Sequence, residues 1–221
     1  FHFAAIITPP RNKTDKKKLI NTNILQTKKL LKALNKTNVE KFIFSSSAAV
    51  YGNKRNTVKE NTQLKPINTY GVSKKEGELL IEKYCKKLNI KFANLRFFNV
   101  IGADKKYKIT PNNNYNSLKN NLFNSLINKK KFFIFCKNKK KTPVRDYIHV
   151  LDVIHICYRI FLLLSEKKSI LINVGRGISV NIISFVKIFE IISKSKIIKK
   201  YKKISDNEIF FSVANNHKLK K

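Results

Sequence analysis

Tyr70 and Lys74 stand four residues apart, a spacing that places both side chains on one face of a helix. Upstream, the apolar run Phe42-Ile43-Phe44 opens into three consecutive serines, Ser45, Ser46 and Ser47. A strand carrying Phe42 and Phe44 would end there and offer hydroxyls at its carboxyl edge, where open α/β sheets bind ligands. Such a set has a chemistry. A phenol titrates near pH ~10, too high for a base at neutral pH. A neighbouring ammonium favours the phenolate and lowers that value. A serine hydroxyl can hold a substrate oxygen and relay its proton. Together the three groups can take a proton from an alcohol while a cofactor takes the hydride. Spacing alone is weak in so lysine-rich a chain, since Tyr115 and Lys119 repeat it. What distinguishes the first pair is its context.

The elements that must position these groups read in order. Residues 1–7 form a short apolar strand, and Pro9-Pro10 open a loop. Leu19, Ile20, Ile24, Leu30, Leu31 and Leu34 recur at helical spacing. Asn23 rides on that helix, where its amide can satisfy backbone groups of a neighbouring loop. A strand over 39–46, a polar connection over 53–69, a helix over 70–88 and a strand over 91–98 follow. Asn68 and Thr69 are the candidate N-caps of the second helix. Strand, helix, strand, helix, strand implies an α/β fold with a parallel sheet. From Gly102 the composition turns to Lys, Asn and Tyr, and a second region begins. It reads as a loop over 102–114, helices over 117–128, 152–164 and 180–192, and strands over 132–135, 145–150, 169–174 and 196–201. His2 reads as structural. Gly175-Arg176-Gly177 reads as a turn, and no G-x-G-x-x-G fingerprint occurs.

The charge is extreme: 47 Lys plus Arg against 13 Asp plus Glu, net +34. Nucleic acid or a membrane surface is the obvious partner. The lysines are scattered, however, and Lys, Asn, Ile and Phe all have A/T-rich codons, so the bias is global. No specific nucleic-acid partner and no membrane partner is expected. The longest apolar run, residues 160–164, falls far short of the ~20 residues that span a bilayer. Three cysteines, Cys85, Cys136 and Cys157, lack metal-ligand spacing and suit a reducing cytoplasm. No metal site is expected.

Several segments, taken in order, resemble the extended short-chain dehydrogenase/reductase family: His2-Phe3-Ala4-Ala5, Phe42 to Gly52, Tyr70-Gly71-Val72-Ser73-Lys74, Leu95-Arg96-Phe97-Phe98-Asn99, Arg145-Asp146-Tyr147-Ile148-His149-Val150 and Asn173-Val174-Gly175. The fourth and fifth are most similar to its UDP-glucose 4-epimerase branch. The resemblance implies a Rossmann-like parallel sheet lacking its first strands, plus a smaller α/β substrate-binding region. Residues 1–100 would be the remainder of a dinucleotide-binding domain and 101–221 the substrate region, with 144–168 packing back on the first. It implies NAD as cofactor, a nucleotide-sugar substrate, inversion at C4 through a 4-keto intermediate, and a homodimer paired through helices 16–36 and 70–88. Tyr70 would be the base and acid, Lys74 would lower its pKa, and Ser47 would share the proton. Phe3, Ala4, Ala5, Asn23, Ser45 and Phe98 would lie at the cofactor, with Tyr70 and Lys74. Asn99, Asn116, Arg145 and Asp206 would join Ser47 at the substrate, Arg145 against diphosphate. An ion pair with Asp146 or another carboxylate is the alternative role for Arg145. The chain departs from the family at Ile6-Ile7, Lys203-Ile204-Ser205-Asp206 and Phe210. The glycine-rich loop would belong to a preceding segment, which makes the chain an N-terminally truncated relative. Another nucleotide-sugar epimerase, a dehydratase, or an inactive or binding-only relative are the alternatives.

Overall fold

The computed structural model describes residues 1–8, 10, 12–104, 118–138, 141–206 and 208–220. Asn12 starts the first helix, its Oδ1 accepting the Asp15 N–H at 2.8 Å and satisfying an amide that the helix start leaves open. That helix is not the single regular one its periodicity predicts. α1 (Lys13–Ile20) passes through a π-helical turn, Asn21–Gln26, into α2 (Thr27–Ala33). Such turns recur at functional sites, and this one carries the buried Asn23.

β1 (Lys41–Ser47) follows, then α3 (Thr69–Lys87) and β2 (Lys91–Phe97). β1 and β2 pair in parallel from Lys41↔Lys91 to Ser47↔Phe97. The chain leaves through β3 (Asn99–Ile101) and continues with α4 (Leu118–Ile127), β4 (Phe132–Cys136), β5 (Val144–Arg145), β6 (Tyr147–His149) and α5 (Val150–Leu163). β7 (Ser169–Val174) then returns to the main sheet and pairs in parallel with the free side of β2. β8 (Val180–Asn181), α6 (Ile182–Ser193), β9 (Lys199–Lys203) and β10 (Phe211–Ser212) complete the described elements. The sheet order is β1-β2-β7, with smaller sheets β10-β5-β8, β3-β6 and β4-β9.

Alternation along a strand explains why the main sheet reads as a nearly continuous apolar run. Phe42, Phe44 and Phe92 pack under Leu31, Leu34, Ile81 and Cys85 on one face. Ile43, Ala93, Leu95, Ile170 and Ile172 meet Val153, Cys157, Ile160 and Leu164 of α5 and its end on the other. Gly77 lets α3 approach the sheet, since a Cβ there would lie 2.6 Å from the Phe44 ring.

Four sequence expectations need correction. Residues 1–7 are not a strand: only His2 pairs, as an isolated parallel bridge to Phe44, before the chain is drawn away toward Asn23. The 145–150 strand breaks at Asp146, whose flanks pair with different partners. The 180–192 helix starts at Ile182, because Val180 and Asn181 pair with β5 and Asn181 then caps α6. The last strand runs Lys199–Lys203, in parallel register with β4.

One polar network crosses the apolar face. Arg96 on β2 donates to both carboxylate oxygens of Glu78 on α3, at 2.8 and 2.7 Å. Its remaining reach takes the Tyr51 hydroxyl and the Glu60 carbonyl, both at 2.8 Å. The Ser46 hydroxyl donates to Glu78 at 2.5 Å. Arg96→Ala would leave the Glu78 carboxylate buried and unpaired, and should cost about 3–5 kcal/mol of unfolding free energy in urea titrations. A loss under about 1 kcal/mol would show the pair to be dispensable.

Candidate active site

The end of β1 hands its three serines to three different partners. The Ser45 carbonyl accepts Lys74 Nζ at 2.5 Å. Ser46 turns to the opposite side and joins Glu78. Ser47 faces the open side, where its Oγ accepts the Ala49 N–H at 3.2 Å and caps the 3-10 turn Ala48–Tyr51. This alternation separates one hydroxyl for chemistry from one for structure.

α3 is seated on that turn. Asn68 Oδ1 caps it by accepting the Gly71 N–H at 2.8 Å. A Cβ on Gly71 would fall 2.5 Å from the Ala49 carbonyl oxygen, so glycine lets the first turn of α3 rest against the chain leaving β1. Tyr70 is half-buried beside it. One turn on, Lys74 is 3% exposed, with Nζ 5.8 Å from the centre of the Tyr70 ring and 4.9 Å from that of Phe44. Burial pushes the Lys74 ammonium down to about 8. The helical spacing thus places the cation within electrostatic range of the phenol.

Asn23 does what its residue type suggested, and more. Its Oδ1 accepts the Ile6 N–H at 2.8 Å, and its Nδ2 donates to the Ile6 carbonyl at 2.9 Å and to Ser73 Oγ at 3.0 Å. Ser73 Oγ in turn donates to the Tyr70 carbonyl at 2.8 Å. One amide therefore fixes the segment after Phe3-Ala4-Ala5 to the helix that bears Tyr70. Phe3 and Ala4 themselves are exposed, and Phe3 stacks between Phe1 and Phe97 at 6.1 and 6.3 Å.

A cavity of about 870 Å³ opens beyond these groups. Ser47, Phe98, Asn99 and Arg145 line it, together with Ala49, Asn68, Ser73 and Glu208. A side cavity of about 160 Å³ shares Asn99, Arg145 and Glu208 and adds Phe133, Phe135 and Tyr147. The Tyr147 hydroxyl is buried without a hydrogen-bond partner among the described residues, and burial pushes it up to about 12.

Arg145 does not pair with Asp146. That carboxylate is fully buried and accepts N–H groups from Arg176, Gly177 and Ala214 at 2.9, 2.8 and 3.1 Å. Gly175-Arg176-Gly177 is accordingly a turn wrapped on a carboxylate. The Arg145 guanidinium donates instead to the carbonyls of Ile209 and Phe210 at 2.6 and 3.3 Å, and burial lowers its pKa. No salt bridge among the described residues includes it.

Of the residues expected at the site, Ser47, Phe98, Asn99 and Arg145 share the cavity wall. Tyr70, Lys74, Ser45 and Asn23 are not wall residues; Asn23 and the Tyr70 carbonyl are bonded to the wall residue Ser73, and Lys74 to the Ser45 carbonyl. Asp206 is exposed, next to the wall residue Ser205 but not on the wall. Asn116 and Tyr115 lie outside the described residues. Sequence reasoning missed Ser73, Glu78, Arg96 and Glu208. An arginine inside an apolar strand, with a glutamate one turn past Lys74, was the available signal for two of them. No cluster of metal ligands occurs among the described residues, and none of their helices is long and apolar enough to cross a membrane.

The family model described as "NAD dependent epimerase/dehydratase family" matches residues 1–175. The UDP-glucose 4-epimerase of Lactobacillus helveticus is 36% identical over 159 residues, 69% of this chain and 48% of that protein. That of Mycoplasma genitalium is 32% identical over 193 residues, 80% of this chain and 55% of that protein. The chain thus spans about half the length of these relatives. The crystal structure of UDP-glucose-4-epimerase from Stenotrophomonas maltophila, with bound NAD and formylated UDP-arabinopyranose, matches with a TM-score of 0.87 at 26% identity, covering 97% of this chain and 66% of that one.

Lys74 gives a test of the buried cation. Its folded pKa of about 8 lies below the ordinary 10.5, so between those values the folded state holds fewer protons than the unfolded. Folding stability tied to this group therefore rises with pH through that window, and the penalty of burying the charge is full below it. Lys74→Met should be the more stable protein near pH ~7 by up to about 3 kcal/mol, the gap closing toward pH ~10.5. Urea titrations of both proteins across that range read the gap; one that does not change with pH would mean the amine is not depressed.

Proposed function

This chain belongs to the NAD dependent epimerase/dehydratase family, and we propose that the protein inverts C4 of a UDP-sugar, interconverting UDP-glucose and UDP-galactose, with NAD as its cofactor. The observation that carries this reading is a cavity lined by Ser47, Asn99 and Arg145 and by Thr69, Val72 and Ser73 of α3, the helix that holds Lys74 Nζ 5.8 Å from the centre of the Tyr70 ring. The side chains fit the nicotinamide half of the cofactor. Ala4 and Ala5 are small, Asn23 holds the segment just past them, and Lys74 and the end of β1 stand opposite. The six glycines include no phosphate-cradling G-x-G-x-x-G, so these residues do not supply the pyrophosphate cradle. When bound, NAD supplies the hydride acceptor and donor.

The chain's own groups handle the proton and the orientation. Tyr70 takes the proton from the C4 hydroxyl and returns it, with Ser47 sharing it across a hydrogen bond. The Lys74 charge favours the phenolate, and its anchor on the Ser45 carbonyl keeps the ammonium in place. Phe3 and Phe98 border the cofactor side. Asn99 faces the sugar nucleotide; the substrate role expected of Asn116 falls outside the described residues. Arg145 meets the diphosphate, to which a guanidinium fork is suited, by redirecting donors now spent on the Ile209 and Phe210 carbonyls. Residues 1–100 serve the cofactor and 101–221 the substrate, with 144–168 joining the two. Exposed Leu25, Leu30, Val72 and Leu79 on the helices beside the site support pairing of two copies. Three free, buried cysteines favour a cytoplasmic location.

The test uses protein produced from the whole reading frame. Denaturation should release NAD, and the intact protein should convert UDP-glucose to UDP-galactose. Bound NAD without conversion would redirect the reading to another nucleotide sugar, and neither result would refute it. Tyr70→Phe should lower turnover about 10²-fold or more while NAD stays bound; undiminished turnover would remove Tyr70 as the base.

A further inference from the structure

Arg145 is held in place from a point far away in the chain. The turn that Ser47 caps ends at Tyr51, and Gly52 then bends the backbone at a φ of 68°. A Cβ there would collide with the Lys65 carbonyl, so glycine permits the bend. Asn53 follows directly, and its amide reaches the segment that leads into β10. Its Nδ2 donates to the Glu208 carbonyl at 3.2 Å, and its Oδ1 accepts the Phe210 N–H at 2.5 Å. Two of the three carbonyls that hold the Arg145 guanidinium, those of Ile209 and Phe210, belong to this same stretch. The Glu208 N–H donates to the Ser205 carbonyl at 3.1 Å, and the Phe210 carbonyl also accepts the Val144 N–H at 2.8 Å. Asn53 thus grips the backbone on both sides of Ile209.

The stretch also carries a rival acceptor. Glu208 lines both cavities beside Arg145, and its charge acts on that guanidinium against the effect of burial. No salt bridge among the described residues joins the two. The distinction matters for an anionic substrate. A bond from arginine to a carboxylate is about twice as strong as a bond between neutral groups. An arginine resting on carbonyls keeps its charge uncompensated and gives up little when its donors turn to a phosphate. An arginine paired with Glu208 would be neutralised, and that pair would have to break first.

We propose that Asn53 is a positioning residue for Arg145: by clamping residues 208–210 it rests the guanidinium on the Ile209 and Phe210 carbonyls and keeps the Glu208 carboxylate off it, leaving the charge to a diphosphate. The clamp also ties the arginine to the turn that Ser47 caps, so one short stretch, 47–53, sets the spacing between the two groups. This role rests on the diphosphate contact proposed above for Arg145, and it is independent of the proton and hydride chemistry.

Calorimetric titration with UDP of protein produced from the whole reading frame tests the clamp, and reads binding whether or not UDP-glucose is converted. Asn53→Ala should bind UDP about 10-fold more weakly than the parent, with NAD content and circular dichroism unchanged. Adding Glu208→Gln to that variant should recover most of the loss. The recovery should exceed what Glu208→Gln gains in the parent, since only without the clamp does the carboxylate reach the arginine. Asn53→Ser carries the same comparison if Asn53→Ala misfolds. Asn53 variants that bind UDP as the parent does would overturn the role. So would a loss that Glu208→Gln leaves in place, which would make Asn53 a structural residue only. A gain from Glu208→Gln of equal size in both backgrounds would overturn it too, reducing the effect to net charge. A parent that binds no UDP would remove the clamp's role together with the nucleotide-sugar reading.

Discussion

The buried ion pair between Arg96 and Glu78 is the contact on which the rest of the arrangement depends. Taking two charges out of water is costly unless nearly every donor and acceptor finds a partner. Here they do: the fork of Arg96 reaches Glu78, Tyr51 and Glu60, and Glu78 also receives Ser46. Tyr51 passes the chain of bonds to Asn173 on β7, whose amide donates to the Val58 carbonyl. All three strands of the main sheet, α3 and the 52–66 connection are thus registered by one set of directional bonds. Apolar residues of equal volume could hold these elements together as tightly. They would not fix which serine of β1 faces the helix. With Ser46 committed to Glu78, alternation leaves Ser47 to the cavity.

Two further buried polar side chains do for loops what the ion pair does for strands. Asn23 satisfies both backbone groups of the half-buried Ile6. Asp146 collects three N–H groups from the turn after β7 and from the chain beyond β10. Gly175 is required beside it, since a Cβ would fall 2.6 Å from Asp146 Oδ2. This has a functional consequence at the next residue. Because Asp146 is spent on amides, Arg145 carries its charge to the cavity without a carboxylate partner in the described structure.

Long periodic segments were legible in the sequence. The helix read over 70–88 is Thr69–Lys87, and the strand read over 169–174 is Ser169–Val174. Elements of two or three residues, such as β3, β5, β8 and β10, were not, because periodicity needs several turns of the pattern and their pairing is decided by distant chain. The π turn was hidden for a related reason: one inserted residue barely disturbs an apolar pattern. At the site, residue types pointed to Tyr70, Lys74 and the three serines of β1, and an amide riding on the first helix pointed to Asn23 as a loop anchor. Which serine would face the cavity, and whether Arg145 or the amides would win Asp146, depended on tertiary geometry.

The arginines show how a biased composition coexists with a specified interior. Only six of the 47 basic residues are arginine. Lysine can replace arginine on a solvated surface at little cost, since one exposed charge serves about as well as another. It cannot replace a planar fork that must meet two oxygens at once. Arg96, buried and bidentate on Glu78, is such a position, and Arg145, spread over the Val144, Ile209 and Phe210 carbonyls at the cavity, is another. The acids follow the same rule: Glu78, Asp146 and Glu190 are retained inside, each with several donors. Composition was therefore free to drift where water screens the charge, and was constrained where geometry must be met in its absence. The net charge of the chain says little about the cavity, and the residues that resisted the drift say more.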